Sequence, residues 1–420
     1  MSPAEGVVLV LGCGRRRYRE YLLSLAAARH PLWLFDESQI TWQREFVRGG
    51  TVLDVRDRDA ALAATRELAA TTQVLGVLSW DEMLVVSTAH VARELGLPGA
   101  GLDAVEACRD KLRGRRVLTA AGVAQPRFEF AGDERQAVAA AERIGYPVVV
   151  KPRGMAASIG VSLARDAQAA RDAFRAAEAA SRLPAAPAYE GGALIEEYLT
   201  GPEISVDGAV LDGRYTPMFV ARKMVGMHPY FEELGHVVDA ADDLLADPQL
   251  LDMLAAAHRA IGFGYGVTHT EVKLTERGPV IVEINGRLGG DLIPLLGRFA
   301  TGTDPGAAVV DLALGVPPHI QRVSENRCVG VRFGYPLHDC VVESVSVPRS
   351  RPDNGVLAAA ALVDPGAELR LPPGDFIARH SYVICAGSDP DDCAALLDKA
   401  LSEVRLTACA LPADTAANGG

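Results

Sequence analysis

The chain has 420 residues, 49% of them hydrophobic and 23% charged, an ordinary balance for a globular protein; at roughly 150 residues per domain this length makes two or three domains. Asp and Glu number 54 against 42 Lys and Arg, for a formal net charge of −12, which argues against nonspecific nucleic-acid binding because neutralising phosphates needs clustered cations. No run of about 18 uncharged apolar residues occurs, so no membrane-spanning helix is expected. The basic cluster Arg15 to Arg17 follows the first apolar run instead of preceding it, the reverse of a secretory leader. The seven cysteines form no CxxC pair and read as buried free thiols of a cytoplasmic protein.

In chain order, short aliphatic runs at Val7–Leu11, Leu32–Phe35 and Val74–Ser79 alternate with helical spacing at Tyr18–Ala28 and Asp59–Ala70, the pattern of parallel βαβ units. The turn Gly12-Cys13-Gly14 lacks the rest of a dinucleotide fingerprint, which argues against a nicotinamide enzyme. From Asp103 the pattern changes. One helical segment is expected at Asp103–Ala121, then a strand at Arg127–Phe130, a helix at Glu134–Ile144 and a strand at Pro147–Lys151. Helices follow at Asp166–Ala180 and Pro248–Ile261, and a loop at Ala185–Gly192. Strands are expected at Ala193–Glu197, Ile204–Val210 and Thr216–Met224, and Thr268–Thr275 pairs with Pro279–Ile284 across the turn Glu276-Arg277-Gly278. The last ninety residues read as strands with a final helix at Asp391–Val404, and the small, polar tail Pro412–Gly420 as disordered.

Three segments carry chemistry. Val148 to Val161 brings Lys151 to a strand end, followed by a small-residue loop containing Gly154 and Ser158. Such a loop lets backbone N–H groups close over phosphate oxygens while the lysine supplies a point charge; taken alone, it equally fits a strand end and a flexible turn. Glu196-Glu197-Tyr198-Leu199, with Glu203 beyond, ends an apolar strand in acids and an aromatic. That composition suits a nucleotide-base pocket, or simply a solvated strand end. In the third, Glu271 and Glu283 fall on the two arms of a hairpin with Asn285 beside them. Facing carboxylates repel without a cation, and two carboxylates with an amide oxygen form the hard-oxygen cluster that suits Mg²⁺.

In this order, the segments resemble the ATP-grasp ligases over roughly Val7 to Leu314, and Gly286-Arg287-Leu288-Gly289-Gly290-Asp291 is most similar to the L-amino-acid ligase branch. The resemblance implies an α/β protein: a Rossmann-like domain (1–102), ATP-grasp subdomains (103–192 and 193–320), a closing α/β subdomain (321–410) and a tail (411–420). It implies ATP and two Mg²⁺ ions, with Mn²⁺ as a substitute. Lys111 and Lys151 then contact phosphates, residues 153–160 form the lid, Glu196 to Leu199 the adenine hinge, and Glu203 binds ribose. Glu271, Glu283 and Asn285 ligate metal, Arg287 steadies an acyl phosphate, and His236 stands in a loop lining the amino-acid site. Carboxylate and amine small molecules are the implied substrates, and a homodimer the implied assembly. His228, Arg332 and His338 have no place in this scheme, and Trp80 or Glu82, at a strand's carboxyl end, is a candidate substrate contact. The competing readings are a biotin-carboxylase-like or purine-pathway enzyme and a catalytically silent nucleotide-binding regulator.

Overall fold

The computed structural model describes residues 6–183, 189, 191–321, 327–351 and 354–411; the expected tail at Pro412–Gly420 and most of the expected loop at Ala185–Gly192 lie outside them. Val7–Leu11 is buried at all five positions, as a strand covered on both faces must be. It sits third in a parallel sheet ordered Gly49–Val52, Leu32–Asp36, Val7–Leu11, Val74–Leu78. Helices Arg16–Arg29, Arg58–Ala69 and Val85–Glu94 complete the unit.

The single helix expected at Asp103–Ala121 is two, Leu102–Arg109 and Lys111–Ala120. Asp110 takes an extended backbone between them and caps the second, accepting from the Leu112 N–H at 3.1 Å. An aspartate competes with the helix for its own backbone donors, so it starts a helix more readily than it continues one.

A second, antiparallel sheet runs Phe128–Ala131, Ala193–Glu197, Val148–Pro152, Ser162–Ala164. Helices Glu134–Ile144 and Ala167–Ala180 cover it with alanine-rich faces, Ala137, Ala140 and Ala141 against Ala170, Ala173 and Ala177; small side chains let both helices lie close to the strands.

The largest sheet has eight antiparallel strands in the order Gly278–Asn285, Gly266–Thr275, Glu203–Leu211, Arg214–Gly226, Glu232–Asp239, Cys328–Gly334, Ser381–Gly387, Val356–Ala361. Three of them come from the last ninety residues, so the sheet is continuous across residue 320. A small sheet, Glu368–Leu369, Cys340–Ser346 and Arg405–Ala410, and the helix Pro390–Ser402 finish the chain. One hydrophobic core joins the parallel unit (Val8, Leu34, Trp80) to the large sheet (Phe219, Val329, Ile384) through Leu296 and Val310. The helices Ile293–Thr301 and Pro305–Ala313 that carry those two residues approach closely. A Cβ at Gly297 would stand 2.3 Å from the Phe219 ring, and one at Gly306 would stand 2.5 Å from Leu25. Six cysteines are buried, but Cys409 is exposed, contrary to expectation. No described helix is long and apolar enough to cross a membrane.

Candidate active site

The two antiparallel sheets enclose a cleft of about 1400 Å³, open solvent included. Of the residues singled out from the sequence, Lys111, Lys151, Ser158, Glu196, Glu197, Tyr198, Leu199, Glu203, Glu271, Glu283, Asn285 and Arg287 line it. Gly154 and His236 do not. The Gly154 carbonyl is taken by Arg109 at 3.0 Å. His236 lies in no loop: it is fully buried within strand Glu232–Asp239, behind the cleft wall.

Each element delivers its side chain for a local reason. Lys111 opens a helix whose cap, Asp110, is also gripped by Arg153 at 2.6 Å. The Lys111 ammonium donates to the Met155 carbonyl (2.7 Å) and to Glu283 (3.0 Å). In the loop behind Lys151, Ala157 and Ser158 both take positive φ of 56°, a conformation that costs non-glycine residues energy and concentrates at ligand-binding turns. Lys151 itself is buried and pairs with Glu196 at 2.7 Å. Burial lowers its pKa, with Glu196 opposing.

The Glu196 carboxylate is likewise committed, to Lys151 and to Arg115 at 2.8 Å. Burial opposes its ionisation, yet these two cations win and hold its pKa at about 2. Glu197 is held by Arg277 (3.1 Å) and Arg127 (3.4 Å), and the Tyr198 ring is 6.3 Å from that of Phe231.

The hairpin register places Glu271 directly opposite Glu283, with His269 opposite Asn285. Two carboxylates facing each other need cations, and the cleft provides two lysines. Lys111 meets Glu283, while Lys223 meets Glu203 (2.7 Å), Glu233 (2.6 Å) and Glu271 (3.2 Å) at once. Burial penalises the Lys223 charge, but the three carboxylates outweigh it and raise its pKa well above normal. His269, buried against Asp207 at 2.6 Å, is raised to about 9 in spite of burial.

Arg287 ion-pairs with Glu82 at 2.6 Å, and Glu82 also takes Arg109 at 2.9 Å. Glu82 therefore comes from the parallel unit to fix a cleft arginine. Trp80 is packing: it is 1% exposed and donates to the Cys13 carbonyl. At the far end, Arg379 clasps Asp291 with both nitrogens (2.6 and 2.7 Å) and lies 3.9 Å over the Phe333 ring. His236 Nε2 is 3.4 Å from Asp291 and 3.5 Å from Glu233. Burial disfavours its charge, but these carboxylates prevail and raise its pKa.

A family model for an ATP-grasp domain matches residues 144–294, and one for an ATP-grasp N-terminal domain matches residues 34–99. The chain belongs to the ATP-grasp superfamily. Alanine–anticapsin ligase of Bacillus amyloliquefaciens is 26% identical over 430 residues, 93% of this chain and 86% of the relative. The crystal structure of an L-amino acid ligase from Bacillus licheniformis superposes with a TM-score of 0.78 at 20% identity, covering 96% of this chain and 99% of that one. Phosphoribosylglycinamide synthetase from Anaerococcus prevotii gives 0.71 at 17%, with coverage of 96% and 99%. At these identities, the structural likenesses establish the fold.

Within this ATP-grasp cleft, Lys223, Glu233, Asp291 and Arg379 carry charge that sequence reading did not assign, while Glu82, expected as a substrate contact, is absent from the lining and holds Arg287. One signal was available: Arg222 and Lys223 interrupt the apolar stretch Met218-Phe219-Val220-Ala221 and Met224-Val225, and a lysine there has to find acids. Arg379 offered none, because nothing local ties it to Asp291. Among the unplaced residues, His228 packs edge-on against Phe231. Arg332 is buried in strand Cys328–Gly334, 3.6 Å from Asp398, and His338 is exposed.

Proposed function

We propose that this protein is an ATP-dependent carboxylate–amine ligase that joins two small amino-acid-like substrates and releases ADP and phosphate. The observation that carries the reading is the register pairing of Glu271 with Glu283, beneath Lys111 and Lys223, in one cleft with Lys151 and Arg287. The relatives that bear ligase names add to it.

Glu271, Glu283 and Asn285 are the residues that would hold Mg²⁺. Their donor set fits: two facing carboxylates and an amide oxygen, with lysines now supplying the counter-charge. Bound there, divalent ions offset charge on phosphate oxygens. ATP would lie along the cleft, its base between the two sheets at the backbone of Glu197 to Leu199 and its ribose at Glu203. Because Glu196 is spoken for by Arg115 and Lys151, its part is to hold Lys151 in place.

A carboxylate resists attack by amines because resonance and charge protect its carbon. Transfer of the γ-phosphoryl group to a carboxylate oxygen breaks the bond to the ADP leaving oxygen and creates an acyl phosphate. The amine nitrogen then attacks the acyl carbon, phosphate departs with the C–O electron pair, and the nitrogen gives up a proton. Lys111 and Lys151 supply fixed positive charge along the phosphates, and Arg287, locked by Glu82, stabilises the oxyanion of the tetrahedral intermediate. The loop of residues 153–160 shields the acyl phosphate from water.

The test is product analysis with Mg²⁺, ATP and pooled amino acids. ADP, phosphate and a mass equal to two substrates minus water are expected. AMP and pyrophosphate would overturn the acyl-phosphate route. Stimulation by bicarbonate alone would favour a carboxylase.

A further inference from the structure

We propose that Glu232 is a specificity residue which receives a cationic group at the tip of an aliphatic side chain on one substrate, a lysine-like amino acid. The inference rests on the ligase reading above and deepens it. Every other acid facing the far half of the cleft already has a cation: Glu203, Glu233 and Glu271 share Lys223, Glu283 has Lys111, and Asp291 has Arg379. Among the described residues, Glu232 makes no ion pair. It lines the cleft, is 3% exposed, and its Oε1 has no hydrogen-bond partner.

Its other oxygen is only partly satisfied. Oε2 accepts from the Ile377 N–H at 3.2 Å and from the Tyr335 hydroxyl at 3.1 Å. The single Tyr335 proton is divided, because the Glu233 carbonyl stands 3.0 Å from the same oxygen. A buried carboxylate with an unused oxygen and no ion-pair partner in direct contact, with Arg379 reaching it only through Tyr335, is costly unless a ligand completes it. Burial raises the Glu232 pKa, in keeping with an acid that awaits a partner.

Position says which part of a substrate arrives there. Glu232 precedes Glu233, the acid on Lys223, in one strand, and its own contacts are Tyr335 and the Ile377 N–H. The reacting carboxylate belongs beside Arg287, whose contacts are Glu82 and the Leu288 carbonyl and none of these groups, so the part of the substrate left for Glu232 is a side chain. Val225, Phe231 and Ile377 also line the cleft. They give methylene groups an apolar wall that ends in a carboxylate, the arrangement a long cationic side chain fits best.

Lysine and norleucine differ by the terminal ammonium alone, so they isolate this contact. Each is supplied with ATP and Mg²⁺ to the full-length protein, paired in turn with every proteinogenic amino acid, and ADP release is followed. Lysine is expected to exceed norleucine in kcat/KM by about tenfold or more, with the difference mainly in KM. In Glu232→Gln the ratio is expected to fall to about one. Equal use of the two by the wild-type protein, with turnover observed, would overturn the inference and leave the ligase intact. An unchanged ratio in Glu232→Gln would also overturn it. ADP release with no pair at all would defeat the ligase reading itself, and this inference with it.

Discussion

Glu271 and Glu283 face each other in one ladder, neutralised by Lys223 and Lys111 respectively, so a divalent cation bound there would take over counter-charge that is already present. Removing one carboxylate leaves Lys111 without its partner. Glu283→Gln is expected to cut Mg²⁺-dependent ADP formation by on the order of 10²-fold or more, with the circular dichroism spectrum unchanged; full activity would remove the metal assignment. Two other buried groups contribute to a loss of stability in acid. His258 Nδ1 donates to the Leu254 carbonyl (2.7 Å), its Nε2 accepts from Thr268 Oγ1 (2.8 Å), and burial lowers its pKa to about 4. Unfolded, it binds a proton near pH 6.5, so its contribution is whole above that pH and is lost as pH falls toward 4. Glu196 has the same sign over a lower window, from about 4.5 to about 2. The urea midpoint should therefore drop on acidification from pH 7 to pH 4.5. His258→Gln should flatten that drop, whereas a curve identical to wild type would exclude His258 as its source.

Between the two helices at residue 110, one aspartate does two jobs. It caps Lys111–Ala120 and is gripped by Arg153, which follows the strand Val148–Pro152. Asp110→Ala should cost about 1 kcal/mol from the cap alone and raise KM for ATP, because the start of the helix positions Lys111; calorimetry of nucleotide binding checks the second part. This break also shows where sequence reading stopped. Long periodic segments such as Glu134–Ile144 and Pro248–Ile261 were legible to the residue. Asp110 was not, since the helical spacing runs through it and only the cap geometry interrupts it. Strand Glu232–Asp239 escaped for a related reason. Its acids, glycine and histidine follow no alternation of polar and apolar residues, because one face of the strand borders a charged cleft and not water. The end of the cleft that bears Lys111, Lys151 and the Glu271–Glu283 pair was readable because its residues fall in compact local segments. The other end was not, for Arg379, Tyr335 and Glu232 meet only through the fold.

Across the whole molecule, the parallel unit acts on the cleft through Glu82. This carboxylate bridges Arg287 and Arg109, and Arg109 in turn holds the Gly154 carbonyl, so one acid ties the unit both to Arg287 and to the loop of residues 153–160. Glu82→Gln is expected to lower kcat by about 10²-fold, the scale of a small misplacement, with a much smaller change in KM for ATP. A matched rise in KM instead would show that Glu82 serves nucleotide binding. The eight-stranded sheet has a further consequence, in the order of synthesis. Glu232–Asp239 is completed by Cys328–Gly334, pairing Asp239 with Cys328 and Gly235 with Arg332. At about 5–20 residues per second, the roughly 95 residues between the two strand ends take on the order of 5–20 s to emerge. For that interval, all four strands of the sheet that bears Lys151 have been synthesised, while the Glu232–Asp239 edge still lacks its partner strand.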